Sequence, residues 1–249
     1  MNRSLSYSRE AAGEASLQVY LLGSIDFESA LALQRRLVYQ VAGERSGAAL
    51  VLCEHPPLIT VGRQGSRSHI LCDSEELRAR RWKVRWVNRG GGCLLHQPGQ
   101  LAVYPILPLD RFGLGLRSYL DRLHDVVIAV LGEYRIAGAA RANVPGVWVG
   151  DRPIAVTGVA VRDWVSYYGT VFNLNPYLEP FRRVRWGSPT QEPMTSLQRE
   201  RRGAVRPALI RERFVEHFCA GFGISKISLF SDHPALLRQA PSGPVPARS

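Results

Sequence analysis

Lysine is nearly missing from this chain: Lys83 and Lys226 are the only two, although basic residues number 32 against 21 acidic ones. The net charge of +11 is therefore carried by arginine, whose planar fork suits carboxylate and phosphate. Such a surface favours an acidic partner, whether nucleic acid, an anionic membrane or an acidic protein, although arginine-rich usage also follows from genome composition alone. Cysteine is scarce too. Cys53, Cys72, Cys93 and Cys219 are widely scattered without a CxxC pair, which speaks against a zinc site and a disulfide framework and for reduced thiols. No metal or cofactor is expected. No apolar run reaches the roughly 20 residues that span a bilayer, and the N-terminus lacks the apolar stretch of a signal peptide. These absences predict a cytoplasmic protein that is not embedded in a membrane.

The remaining pattern is that of one domain over residues 16–230, with polar or Pro-rich tails at 1–15 and 233–249 expected to be weakly ordered. Leu17–Leu21 alternates as a strand, and Asp26 caps a helix whose apolar face runs from Phe27 to Val41. Ala48–Leu52 and Leu58–Val61 read as buried strands, Asp73 opens a short helix through Arg81, and Val84–Val87 is a further strand. A long amphipathic helix is predicted within 114–136, three hairpin-like strands between 147 and 174, and a last helix from Pro207 to Phe218. Together they predict an α/β fold with a mixed sheet and flanking helices.

One segment combines residues that folding alone seldom requires: Arg89, Gly90, Gly91, Gly92, Cys93, Leu94, Leu95, His96, Gln97, Pro98, Gly99 and Gln100. Glycines let backbone approach a ligand closely, and a guanidinium beside them can hold a carboxylate, phosphate or thioester carbonyl by charge-assisted hydrogen bonds. His96 serves there as donor, general base or strut. Cys93 is the thiol best placed by position to act as nucleophile, with Arg89 expected to lower its pKa; a small thiol filling space is the competing reading. The loop is expected at the end of a buried strand. His55-Pro56-Pro57 and Gly62-Arg63-Gln64-Gly65 bracket a four-residue strand, so only one of them is expected to reach the same site. Arg182-Arg183-Val184-Arg185-Trp186 interleaves cations with an aromatic, as a base-stacking surface or a solvated basic face would.

Arg89-Gly90-Gly91 through His96-Gln97-Pro98-Gly99-Gln100, with Tyr104-Pro105, resembles the signature of the lipoyl(octanoyl) transferase family. Glu54-His55-Pro56-Pro57, Gly62-Arg63-Gln64-Gly65, Pro145-Gly146-Val147-Trp148, Ile154-Ala155 through Gly158-Val159, Gly169 with Asn173, and Met194-Thr195-Ser196-Leu197 continue the match in order over roughly 17–220. The resemblance implies a fold like that of biotin and lipoate protein ligases. It also implies transfer of an octanoyl group from acyl carrier protein to a lysine of a lipoyl domain, in 2-oxoacid dehydrogenase or glycine cleavage proteins. Both partners are typically acidic, which gives the +11 charge a role in steering and turns the reading away from nucleic acid. The acyl chain would be held by Arg89–His96 with Gln100, by Val156, Thr157 and Gly158, and by Gly169, Thr170 and Val171.

The chain departs from that family at the reacting groups. A family cysteine takes the acyl group as a thioester and a nearby lysine lowers its pKa, but the gapless match places Gly187 at the cysteine and Pro153 at the lysine. Three readings follow: transfer through a substitute thiol, Cys93; direct transfer with no covalent intermediate; or a non-catalytic relative that binds an acyl chain, its carrier or a lipoyl domain.

Overall fold

The computed structural model describes residues 16–44, 47–142, 144–186 and 193–237. The chain opens with β1 (Ser16–Ser24), α1 (Phe27–Glu44) and β2 (Gly47–Glu54), in which β1 and β2 run parallel. Asp26 caps α1 as its residue type predicts, its Oδ1 accepting from Ser29 N at 2.9 Å. β3 (Leu58–Val61), α2 (Ser74–Ala79), β4 (Lys83–Trp86) and β5 (Cys93–His96) follow. Asp73 caps α2 through Glu75 N and Glu76 N at 2.9 and 2.8 Å. Then come β6 (Gln100–Ile106), α3 (Leu116–Glu133), β7 (Ala139–Arg141), β8 (Val144–Val149), β9 (Arg152–Arg162) and β10 (Val165–Asn173). The chain continues with α4 (Leu197–Arg201), α5 (Pro207–Phe222), β11 (Lys226–Phe230) and α6 (Pro234–Leu237).

Eight strands form one mixed sheet in the order β11-β1-β2-β6-β10-β9-β8-β7, and β4-β3-β5 form a second, smaller sheet. On one face of the large sheet, α3 and α5 bury Leu123, Val127, Val130, Phe214 and Phe218 against Leu50, Val103 and Phe172. Each such side chain contributes about 1.5–3 kcal/mol by leaving water. The other face is covered by Leu33, Leu37 and Val38 of α1, packed with Val51, Tyr104 and Val171. The small sheet closes a third cluster of Ile59, Val61, Leu95, Trp148 and Trp186.

Several expectations change. Val84–Val87 is not a buried strand leading into the glycine loop: β4 is an edge strand on which Lys83, Arg85 and Trp86 are exposed, because it pairs only with β3. Within the segment expected to form one loop, Cys93–His96 is a strand antiparallel to β3. Residues 233–237, expected to belong to a tail, are packed instead: His233 stands edge-on against Tyr20 with ring centroids 5.3 Å apart, and α6 follows it. The expected tail residues 1–15 and 238–249 lie outside the described residues, as does Gly187. Trp186 is no stacking surface: it is 5% exposed and packs against Trp148 at 6.0 Å.

Candidate active site

The site forms where β9 outruns its neighbour. β8 pairs with β9 only as far as Val156, and beyond that point Gly90 N donates to Val159 O at 2.8 Å. The same glycine loop is tied to the turn after β3, where Gly62 N donates to Gly92 O, Arg63 N to Arg89 O and Gln64 N to Gly91 O at 3.0–3.1 Å. A Cβ on Gly158 would stand 2.6 Å from Gly90 O and 3.1 Å from the Arg89 side chain, so only glycine lets the loop close on the strand.

The closure drives the Arg89 guanidinium inward. Its Nη2 donates to Thr60 O at 3.0 Å and to Thr60 Oγ1 at 2.8 Å, and its Nη1 to Gly90 O at 2.9 Å. Thr60 Oγ1 lies 3.0 Å from His96 Nε2. Thr60 Oγ1 accepts from the guanidinium, and both its second lone pair and its own proton suit Nε2, so the hydroxyl serves either His96 tautomer. Arg89 and His96 are 5% and 3% exposed. Burial pulls the Arg89 pKa down to about 10 and holds His96 well below its ordinary value, with the neighbouring His55 and Arg89 charges acting the same way on His96. Both are buried, and among the described residues one nitrogen of each has no hydrogen-bond partner, Arg89 Nε and His96 Nδ1. An unmatched buried donor is costly, and a carbonyl or carboxylate oxygen is the group that would satisfy Arg89 Nε, and His96 Nδ1 in the tautomer that carries its proton there.

Behind this pair stands a second one. His55 Nδ1 donates to Ile25 O at 2.8 Å, which leaves Nε2 to accept from Tyr104 Oη, also at 2.8 Å. Burial lowers the His55 pKa from 6.5 to about 4. An imidazole kept neutral in the fold protonates first in the unfolded chain, so stability present above about pH 6.5 is lost as pH falls towards 4. The expected loss from His55 alone is about 3 kcal/mol. Urea unfolding of wild type and His55→Gln at pH 7 and 4.5 tests this: the variant should lose clearly less than wild type over that interval, and equal losses would contradict it.

Phe27, Leu94, Tyr104, Tyr168 and Val171, with Arg89, His96, Gly158 and Gly169, enclose a cavity of ≈ 10 Å³. That is about the room of one water, so an apolar chain enters only as these side chains part. Among the described residues no cluster of His, Cys, Asp and Glu could hold a metal ion.

Of the residues singled out from sequence, Arg89, Leu94, His96, Gly158, Gly169 and Val171 line this cavity. Gly90, Gly91 and Gly92 brace it through backbone, and Val156 is half-buried between two core clusters. Gln100 is a strut: its Oε1 accepts from Gln97 N at 2.8 Å and its Nε2 donates to Asn173 Oδ1 at 2.9 Å. Thr157 and Thr170 turn away, their hydroxyls 3.1 Å apart and that of Thr157 3.1 Å from His124 Nε2 on α3. Strand alternation also separates Cys93 and Leu95 from Leu94 and His96. Cys93 is 1% exposed, its thiol donates to Ser66 O at 3.5 Å, and burial pushes its pKa up despite Arg89. The placement of Cys93 corrects its reading as nucleophile. Pro153 offers only its carbonyl, which accepts from Thr195 N at 2.9 Å.

Both loops flanking β3 serve the site, contrary to expectation, because Arg89 and His96 meet at Thr60 in the middle of that strand. Thr60 stands outside the residues expected at the site, although a hydroxyl inside the apolar run Leu58–Val61 is a signal for it, and Tyr104 enters the sequence expectation only as part of the family signature. Tyr168, in the left-handed region at φ 55°, left no such mark.

The family profile described as lipoyl protein ligase A/B catalytic domain matches residues 26–219. An octanoyltransferase of Geotalea uraniireducens is 35% identical over 197 residues, covering 79% of this chain and 89% of that protein. One of Chloroflexus aggregans is 35% identical over 219 residues, covering 87% and 99%. A crystal structure of lipoate-protein ligase A bound with ATP shares the fold, with a TM-score of 0.75, 14% identity and coverage of 90% of this chain and 92% of that one.

Proposed function

Because the chain belongs to the lipoyl protein ligase A/B catalytic-domain family, we propose that it is an octanoyltransferase of protein lipoylation, moving an octanoyl group from acyl carrier protein to a lysine of a lipoyl domain. The observation that carries this reading is the buried Arg89–Thr60–His96 array, whose unmatched nitrogens, Arg89 Nε and His96 Nδ1, belong to side chains lining an apolar cavity. A thioester presents the complementary pair: a carbonyl oxygen for the donors and an alkyl chain for Phe27, Leu94 and Val171. Fixed donors aimed at the carbonyl oxygen stabilise the charge that develops there as the thioester is attacked. The +11 net charge steers two acidic proteins to the mouth of the site.

Gly187 and Pro153 favour a second reading, in which the same cavity binds an acyl group without transferring it. Incubation with octanoyl-acyl carrier protein and an apo lipoyl domain, followed by intact-mass measurement, separates the two. The lipoyl domain is expected to gain an octanoyl group, and to do so equally with Cys93→Ala, whose thiol packs on the far side of β5. An unmodified lipoyl domain with wild-type protein leaves only the binding reading. Loss of transfer in a folded Cys93→Ala protein restores that thiol as nucleophile.

A further inference from the structure

We infer that transfer is direct, the lysine amine attacking the octanoyl thioester with no acyl-enzyme, and that Tyr104 backed by His55 takes the proton the amine must lose. This rests on the octanoyltransferase reading and adds the step and the residues.

No cysteine in the chain is presented to the cavity. Cys93 and Cys72 belong to the core behind the small sheet and Cys219 to α5. Cys53 lies nearer, its Sγ 3.7 Å from His55 Nε2, but it is buried and desolvation pushes its thiol far up. The two lysines stand on edge strands β4 and β11. A thiolate held ready by a lysine is therefore not available from this sequence.

Direct aminolysis needs no such pair. It needs an oriented carbonyl, which Arg89 and His96 supply, and an acceptor for one proton. Tyr104 lines the cavity, and its hydroxyl proton is already directed at His55 Nε2. The hydrogen bond from His55 Nδ1 to Ile25 O fixes the tautomer that leaves Nε2 open. As the lysine nitrogen bonds to the carbonyl carbon, Tyr104 Oη takes the amine proton while passing its own to His55. The C–S bond then breaks, the departing carrier thiolate recovers that proton through the same path, and an amide and a free thiol remain. His55 ends neutral, in the state burial favours.

The test is initial-rate kinetics with both substrates varied, joined to intact-mass measurement. Intersecting patterns and no octanoyl adduct on the protein are expected; parallel patterns, or an adduct on Cys53 or elsewhere, overturn direct transfer. His55→Gln keeps an acceptor for the Tyr104 hydroxyl but cannot take the proton, and Tyr104→Phe removes the hydroxyl. Each should lower kcat about 100-fold with KM unchanged, and the double variant should lose no more than either alone, since the two act as a unit. Additive losses, or a rise in KM with kcat kept, would mark a structural role and sink the relay. Full activity in either variant leaves the octanoyltransferase reading standing without the relay. Absence of transfer by wild type removes both.

Discussion

Arg89→Met is expected to lower octanoyl transfer by at least about 100-fold while shifting the thermal midpoint by only a few degrees. The activity loss follows from removing fixed donors at the carbonyl, a change that costs 10²–10³ in rate where such donors carry a developing charge. The small stability change follows from opposing terms. Methionine forfeits the bonds to Thr60 and Gly90, leaving acceptors that cost roughly 1–3 kcal/mol each if unmatched. It also removes a cation whose named partners are all oxygens of neutral groups, and whose burial opposes the charge. Arg89→Lys should be nearly as inactive, because an ammonium cannot hold Thr60, Gly90 and a substrate oxygen through one planar fork. Octanoyl transfer within tenfold of wild type in Arg89→Met would remove the guanidinium from the reaction.

Gly169→Ala should act the opposite way, on folding before function. Gly169 faces Gly158 across β9 and β10, and a Cβ there would stand 2.1 Å from Val103 O and 2.9 Å from Pro105 Cδ. The obstructing oxygen belongs to backbone of β6, so relief requires β10 and β6 to part along a buried seam. A cost of about 3 kcal/mol is expected, lowering the thermal midpoint by roughly 6–12 °C. Gly132→Ala is the control: this glycine lies within α3 with open space around its would-be Cβ. There alanine should stabilise by roughly 0.5–1 kcal/mol. Calorimetry on both variants checks the pair, and a Gly169→Ala midpoint equal to that of wild type would show that β10 and β6 have slack to separate.

Much of this molecule is written in local spacing. Asp26 and Asp73 announce their helices because a carboxylate beside free backbone N–H groups is a local device, and α1, α3 and α5 follow from apolar residues recurring on one face. β11 lies outside the sequence expectations although Ile227 and Leu229 alternate with polar residues: five residues, all exposed at the sheet edge, become a strand through pairing with β1. Cys93–His96 was hidden likewise: four residues are too few for alternation to declare itself, and the partner that makes them a strand, β3, lies more than thirty positions earlier.

Chain order alone therefore placed the family signature, the glycines, the arginine and the histidine in one segment, and set out the residues that stand where a cysteine and a lysine would act. It left undecided which side chains look into the cavity. That depends on which strand lies beside which, since a pleated strand sends neighbours to opposite faces. Thus Cys93 and His96, three positions apart, serve a packed core and a reacting site respectively, and His55, just past the end of β2, meets Tyr104 from within β6 at 2.8 Å.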